Sequence, residues 1–189
     1  MVNALSEWLE AKVIRNRKTW QQRYERGKPV TKVKCIEENS SGKTGTEISF
    51  KPDEEIFESI EFDWERIVRR LRELAFLNQG LRIEVEDERS QKKEIHRYKG
   101  GISAFVKHLN KNREVLFPEP IFIKGEREDV SLEVAIQYNQ SFIQDIFAFV
   151  NDINTEEGGT HLSGFKAGLT KVVNDYVKKE ENKDIVLYC

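Results

Sequence analysis

The chain has 189 residues, with 31 Lys and Arg against 33 Asp and Glu for a formal net charge of -2, and 38% of it is hydrophobic, including 11 Phe and 3 Trp. That length fits one large domain or two small ones, the aromatic content excludes a disordered chain, and no run approaches the ~20 apolar residues of a bilayer span. The near-balanced charge gives no strong field for nucleic acid or anionic lipid. Two distant cysteines, Cys35 and Cys189, suggest neither a disulfide framework nor a zinc site. Residues 1–10 lack the basic and apolar regions of a signal peptide, so a cytoplasmic, reducing setting is expected.

Three breakers punctuate the chain: Ser40-Ser41-Gly42-Lys43, Phe117-Pro118-Glu119-Pro120 and Glu156-Glu157-Gly158-Gly159. Between them, hydrophobic period predicts the elements. Residues 8–15, 19–24, 30–36 and 46–50 alternate apolar with polar side chains, which predicts an antiparallel sheet with one wet face. Asp63 then reads as an N-cap for a helix whose apolar face carries Trp64, Ile67, Val68, Leu71, Leu74 and Ala75, ended by Gly80. Arg66, Arg69, Arg70 and Arg72 lie largely off that face. They read as a solvated surface, with phosphate contact as the alternative. Strands are predicted over 81–86 and 93–98. A helix opened by Gly100-Gly101 follows, with Ile102, Phe105, Val106 and Leu109 on one face. Two more strands are predicted over 131–138 and 142–151, joined by a turn at 139–141. A last helix from near Thr160 has an apolar stripe of Leu162, Phe165, Leu169, Val172, Val173 and Tyr176. This mixed order predicts a two-layer α+β domain from residue 81 onward, with helices on one face of the sheet.

Catalytic constellations are sparse. There is no Walker-type phosphate loop and no Ser/His/Asp or Cys/His set with supporting local context. His96 and His108 are separated by a strand end, a glycine turn and a helix, so both read as surface residues rather than metal ligands. The pairs Glu37-Glu38 and Glu54-Glu55 read as solvated turn residues. In Glu157-Gly158-Gly159-Thr160-His161, two glycines precede a helix start that Thr160 can cap. The segment reads equally as a plain turn with a cap or as an anion site at the exposed N–H groups.

Four long motifs go further: VNALSEWLE at the start, RRLRELAFLNQGLRIEVED, YKGGISAFVKHLNKN, and EGGTHLSGFKAGLTKVVNDY. In register and in order, from Val2 to about Lys179, they resemble the B subunits of DNA gyrase and topoisomerase IV, members of the type IIA topoisomerases. The resemblance implies that residues 1–78 form the C-terminal portion of a Bergerat-fold ATPase domain. It implies that 79–189 form an incomplete two-layer, βαβ-type transducer domain whose family match ends near 179. In the family, ATP with Mg2+ dimerises two B subunits, and the transducer relays nucleotide state to a DNA gate formed with the gyrase A subunit, driving strand passage and supercoiling. No membrane partner is implied.

By the same resemblance, Thr46 matches a threonine near the adenine of ATP, and Arg15 an arginine at the pocket rim where some inhibitors bind. Thr46 taken alone reads as a sheet residue with β propensity. The family's general-base Glu, magnesium-binding Asn, adenine-reading Asp and phosphate glycine loop all precede VNALS. The transducer's later strand and Gln-Thr-Lys loop, and the DNA-cleavage metal domain, come after residue 179 in the family. None is expected within these residues, and Met1 suggests an internal start codon, a truncated gene model or an engineered piece. The chain alone is therefore expected to bind no ATP or Mg2+ usefully and to be inactive, with no catalytic or metal residues of its own. A non-catalytic module binding DNA or a second protein of the complex is the alternative.

Overall fold

In the computed structural model, which describes residues 1–38 and 42–181, the chain is α+β. It divides into two compact units, Met1–Asp63 and Trp64–Cys189. The Ser40-Ser41 part of the first breaker and most of the tail from Glu180 to Cys189 lie outside the described residues.

The first unit opens with a 3-10 turn, Val2–Leu5, and continues with strands β1 (Ser6–Arg15), β2 (Lys18–Glu25), β3 (Lys28–Pro29), β4 (Lys34–Glu38) and β5 (Gly45–Pro52). They form one antiparallel sheet in the order β3-β2-β1-β5, with β4 also pairing with β2. The β1–β2 hairpin closes on Asn16 (φ +53°) and Arg17 (φ +60°), the two left-handed residues whose twist matches that of the flanking strands. Of the strand predicted over 30–36, residues 30–33 form no strand: β3 ends before them at Pro29 and β4 begins after them at Lys34. Pro29 has no N–H to continue a ladder. Thr31 takes its place at the edge of β2: its hydroxyl accepts the Arg23 N–H at 2.9 Å and its carbonyl accepts Gln22 Nε2 at 3.1 Å. After β5, Asp53 pins the chain. Its N–H donates to the Leu5 carbonyl at 3.1 Å, and its carboxylate meets Arg26 Nε at 2.8 Å and the Glu55 N–H at 3.0 Å.

The second unit holds α1 (Trp64–Leu77), β6 (Arg82–Asp87), β7 (Lys92–Arg97), α2 (Gly101–Leu109), β8 (Ile121–Arg127), β9 (Val130–Ile136), a short pair β10 (Phe149–Val150) and β11 (Ile153–Asn154), and α3 (Thr160–Glu181). Its strands form three antiparallel hairpins, β6–β7, β8–β9 and β10–β11, each a separate two-stranded sheet among the described residues. The break between the units falls before α1, because that helix packs on α2, β6 and β7; the boundary expected at 78 falls at its other end. The core sits there. Phe76 is 1% exposed, its ring stacked on Tyr98 at 3.6 Å between centroids and tilted against Phe105 at 5.3 Å. Val68 and Ala75 are buried beside it on α1.

Three sequence expectations are corrected in this unit. The partner of the 131–138 strand is residues 121–127, not 142–151: the hairpin pairs Ile121 with Ile136 and Ile123 with Val134. Its turn uses Glu128 (φ +51°) and Asp129 (φ +64°), neither of them a glycine, so it carries little sequence signal. Beyond β9 the backbone turns toward the 114–116 loop, with Leu116 N–H donating to the Tyr138 carbonyl at 3.0 Å and Gln140 N–H to the Glu114 carbonyl at 3.1 Å. Side-chain amides fix that course: Asn139 Nδ2 donates to Asn110 Oδ1 at 2.8 Å while Asn139 Oδ1 accepts the Ser141 N–H at 2.8 Å. Residues 142–148 therefore form no strand. The α3 stripe is only partly covered, with Val172 66% and Tyr176 64% exposed. Phe76, the most deeply buried large side chain, was absent from the predicted face of α1.

Candidate functional site on the first sheet

Register sorts the side chains of the first sheet onto two faces, because directly opposed residues of an antiparallel pair share a face and alternate along each strand. Val13 of β1 stands opposite Trp20 of β2 and Thr46 of β5, Ala11 opposite Gln22 and Ile48, and Leu9 opposite Tyr24 and Phe50. This face is mostly apolar, and much of it is open: Val13 and Trp20 are each 38% exposed, Ile48 50% and Phe50 41%. The other face carries charge. Lys12 pairs with Glu47 at 3.0 Å, and the Arg23 guanidinium lies 5.0 Å from the centre of the Trp8 ring. The predicted wet face is therefore present.

Thr46 and Arg15 fall on the apolar face. Thr46 is directly across from Val13, and Arg15 is two residues farther along β1. Both are exposed, and neither side chain has a hydrogen bond or ion pair with another described residue. At the opposite end of this face a cavity of about 240 Å³ is lined by Val2, Leu5, Phe50, Phe57, Ile60 and Phe62, with Phe62 set edge-on to Phe50 at 6.4 Å. A larger cavity of about 490 Å³ lies among Glu7, Trp8, Arg23, Glu25, Arg26 and Lys28. Trp8, Arg23 and Glu25 belong to the charged face, so this cavity opens away from Thr46 and Arg15.

The remaining candidates resolve differently. His96 is buried at 3% exposure, against the surface position expected for it, because β7 turns it inward beneath α1. His108 is exposed, with its ring 5.5 Å from Phe76. Among the described residues no group of three or more His, Cys, Asp or Glu could hold a metal ion. Of the α1 arginines, Arg70 meets Glu73 at 3.0 Å and the Asp152 carbonyl at 2.7 Å, and Arg72 meets Glu94 at 3.3 Å. These engagements favour a structural role over phosphate contact. The glycine segment forms a tight connection: Gly158 (φ +82°) donates its N–H to the Thr155 carbonyl at 2.8 Å, and the Gly159 carbonyl accepts the Ser163 N–H at 3.0 Å. Gly159 thus holds the capping position expected of Thr160, which is already the first residue of α3. Asp53 is the residue that sequence reasoning missed. It is 3% exposed and anchors Arg26, whose positive charge is reinforced first by its hydrogen bond to Glu55 and then by Asp53. No spacing signals it, since its partners are distant in sequence.

Comparison with known proteins places these features in a family. The family model for DNA gyrase B matches residues 101–186, running past the point near 179 where the resemblance was expected to end. The DNA gyrase B subunit of Clostridium acetobutylicum is 51% identical over 180 residues, which cover 95% of this chain and 28% of that protein. The chain thus spans little more than a quarter of the length of that relative. Among solved structures, the 43K ATPase domain of Thermus thermophilus gyrase B, bound to an aminocoumarin, superposes with a TM-score of 0.80 at 37% identity, covering 96% of this chain and 50% of that one. The topoisomerase IV ATP-binding domain of Francisella tularensis, bound to a small-molecule inhibitor, gives a TM-score of 0.76 at 26% identity, covering 95% of this chain and 48% of that one.

Proposed function

Since the chain belongs to the DNA gyrase B family, we propose that it is part of the B subunit of an ATP-dependent type II DNA topoisomerase, working in the cytoplasm. In this reading residues 1–78 are the C-terminal portion of the ATPase domain, and 79–189 belong to the transducer that couples ATP binding and hydrolysis to strand passage and supercoiling. Its partners are DNA, the gyrase A subunit and a second B subunit. The observation that carries the reading is the 51% identity over 95% of the chain. The exposed apolar sheet face agrees with it, since a nucleotide pocket needs such a wall.

Thr46 and Arg15 are the chain's contribution to that pocket. A threonine hydroxyl with no partner among the described residues is available to a base edge, and a rim guanidinium to an anionic or planar ligand. The phosphates of ATP need preorganised donors and a cation, and these come from the rest of the full-length protein together with Mg2+. These residues alone therefore turn over no ATP. Purified chain with ATP and Mg2+ releases phosphate at the blank rate, and sustained turnover contradicts this. The positive test grafts residues 1–181 in place of the matching segment of the Clostridium acetobutylicum protein. The graft hydrolyses ATP, and Thr46→Ala within it weakens nucleotide affinity by roughly 2- to 10-fold, the loss of about one hydrogen bond. A graft that folds but does not hydrolyse ATP contradicts the proposal.

A further inference from the structure

The second unit buries an imidazole in a setting that disfavours its charged form. His96 is 3% exposed. Its Nε2 lies 3.5 Å from Glu94 Oε2 and makes no hydrogen bond among the described residues. Its Nδ1 is 3.5 Å from the Tyr98 hydroxyl. The same Glu94 oxygen is already held by Arg72 of α1 at 3.3 Å. The ring's polar neighbours are thus a neutral hydroxyl and a carboxylate shared with a guanidinium. Across the hairpin, β6 presents Ile83 directly opposite. From α1 comes the Arg72 guanidinium, and from β7 the Glu94 carboxylate and, just beyond the strand, Tyr98. From α2, the His108 ring lies 5.5 Å from Phe76 and also feels the Arg72 charge.

We infer that His96 is an acid-sensitive latch between α1 and the β6–β7 hairpin: its protonation sets a second cation beside Arg72 and loosens the packing of the helix on the hairpin. The mechanical link is short. The His96 ring stacks near Tyr98 at 6.4 Å between centroids, and Tyr98 in turn lies flat on Phe76 of α1 at 3.6 Å. An imidazolium that moves to reach water displaces Tyr98, and with it the face on which Phe76 rests. The electrostatics agree. Burial pushes His96 below its usual 6.5, Arg72 pushes it further, and Glu94 opposes them. A histidine depressed in the folded state binds its proton more readily when unfolded. Its contribution is therefore whole above pH 6.5 and declines as pH falls below that value toward the folded-state titration. His108 is also lowered, by burial, then by Arg72 and Lys111, but it is exposed and can be protonated in contact with water. The inference concerns the second unit alone and does not depend on nucleotide binding.

The test is thermal unfolding of the 189-residue chain from about pH 7.5 to about pH 5.5, for the wild type, His96→Phe and His108→Gln. The wild type and His108→Gln lose more on acidification than His96→Phe, by up to about 5 °C, since that variant's ring keeps the stack without a titrating nitrogen. An acid loss in His96→Phe equal to the wild type overturns the inference. Should His96→Phe fail to fold, NMR titration of the wild-type imidazole decides the matter. A midpoint below 6.5 with accelerated exchange of β7 amides supports the latch, and a midpoint at or above 6.5 ends it.

Discussion

Phe76 touches more of the second unit's framework than its place in the sequence suggests. It is on the last turn of α1, stacks on Tyr98, and meets Phe105 and the His108 ring. Phe76→Ala leaves a cavity beneath both helices and lowers the stability of that unit by about 3–5 kcal/mol, measured by chemical denaturation. Asp87, the last residue of β6, shows the opposite case of a strong local interaction with small consequence for stability. The Arg89 side chain holds its carboxyl well below the usual 3.8, at about 2, with the Arg89 N–H and Ser90 hydroxyl adding to the effect. A carboxyl depressed in the folded state contributes above pH 3.8 and loses that contribution as pH falls toward 2. Because the group is open to solvent, the expected readout is the titration itself. Carboxyl NMR gives a midpoint near 2 in the wild type and one closer to 3.8 in Arg89→Ala; an unchanged midpoint contradicts the assigned cause.

At the scale of elements, what could be read from the sequence was what period alone specifies. β1, β2, β5, β6, β7, α1 and α2 all appear where alternation or helical spacing put them, because each covers or exposes one face cleanly. β8 was missed because Ile121-Phe122-Ile123 is a short continuous apolar run followed by mostly charged residues, and its turn uses two acidic residues rather than glycine. Residues 142–148 were misread because their apolar side chains suggest a strand, whereas Asn110, Gln137 and Asn139 lock the preceding chain into a loop through amide hydrogen bonds that no pattern announces. The site was legible only through family motifs. Thr46 and Arg15 are ordinary strand residues by pattern, and Asp53 and His96 owe their burial to tertiary contacts. The first sheet also carries a consequence at this scale. Its apolar face is open around Val13, Trp20 and Ile48, a surface of the kind that drives association. Ile48→Lys, at a side chain already 50% exposed, lowers light scattering of the concentrated chain while shifting unfolding by no more than about 0.5 kcal/mol. Unchanged scattering contradicts a role for this face in association.

For the whole molecule, the two units are unequal in their own cores. Among the described residues, Leu9 is the one buried hydrophobic side chain of the first unit, while Val68, Ala75, Phe76 and Phe105 belong to the second. A single-layer sheet with one buried apolar residue leaves much of its apolar face uncovered among the described residues, which agrees with the proposal that it forms one wall of a larger ATPase domain. Supercoiling of relaxed plasmid tests the account as a whole. The Clostridium acetobutylicum gyrase B protein carrying residues 1–181 of this chain, mixed with its own gyrase A protein, is expected to introduce negative supercoils only when ATP and Mg2+ are present. A folded graft that binds gyrase A yet leaves the plasmid relaxed with ATP would contradict the assignment of these residues to a nucleotide-driven strand-passage enzyme.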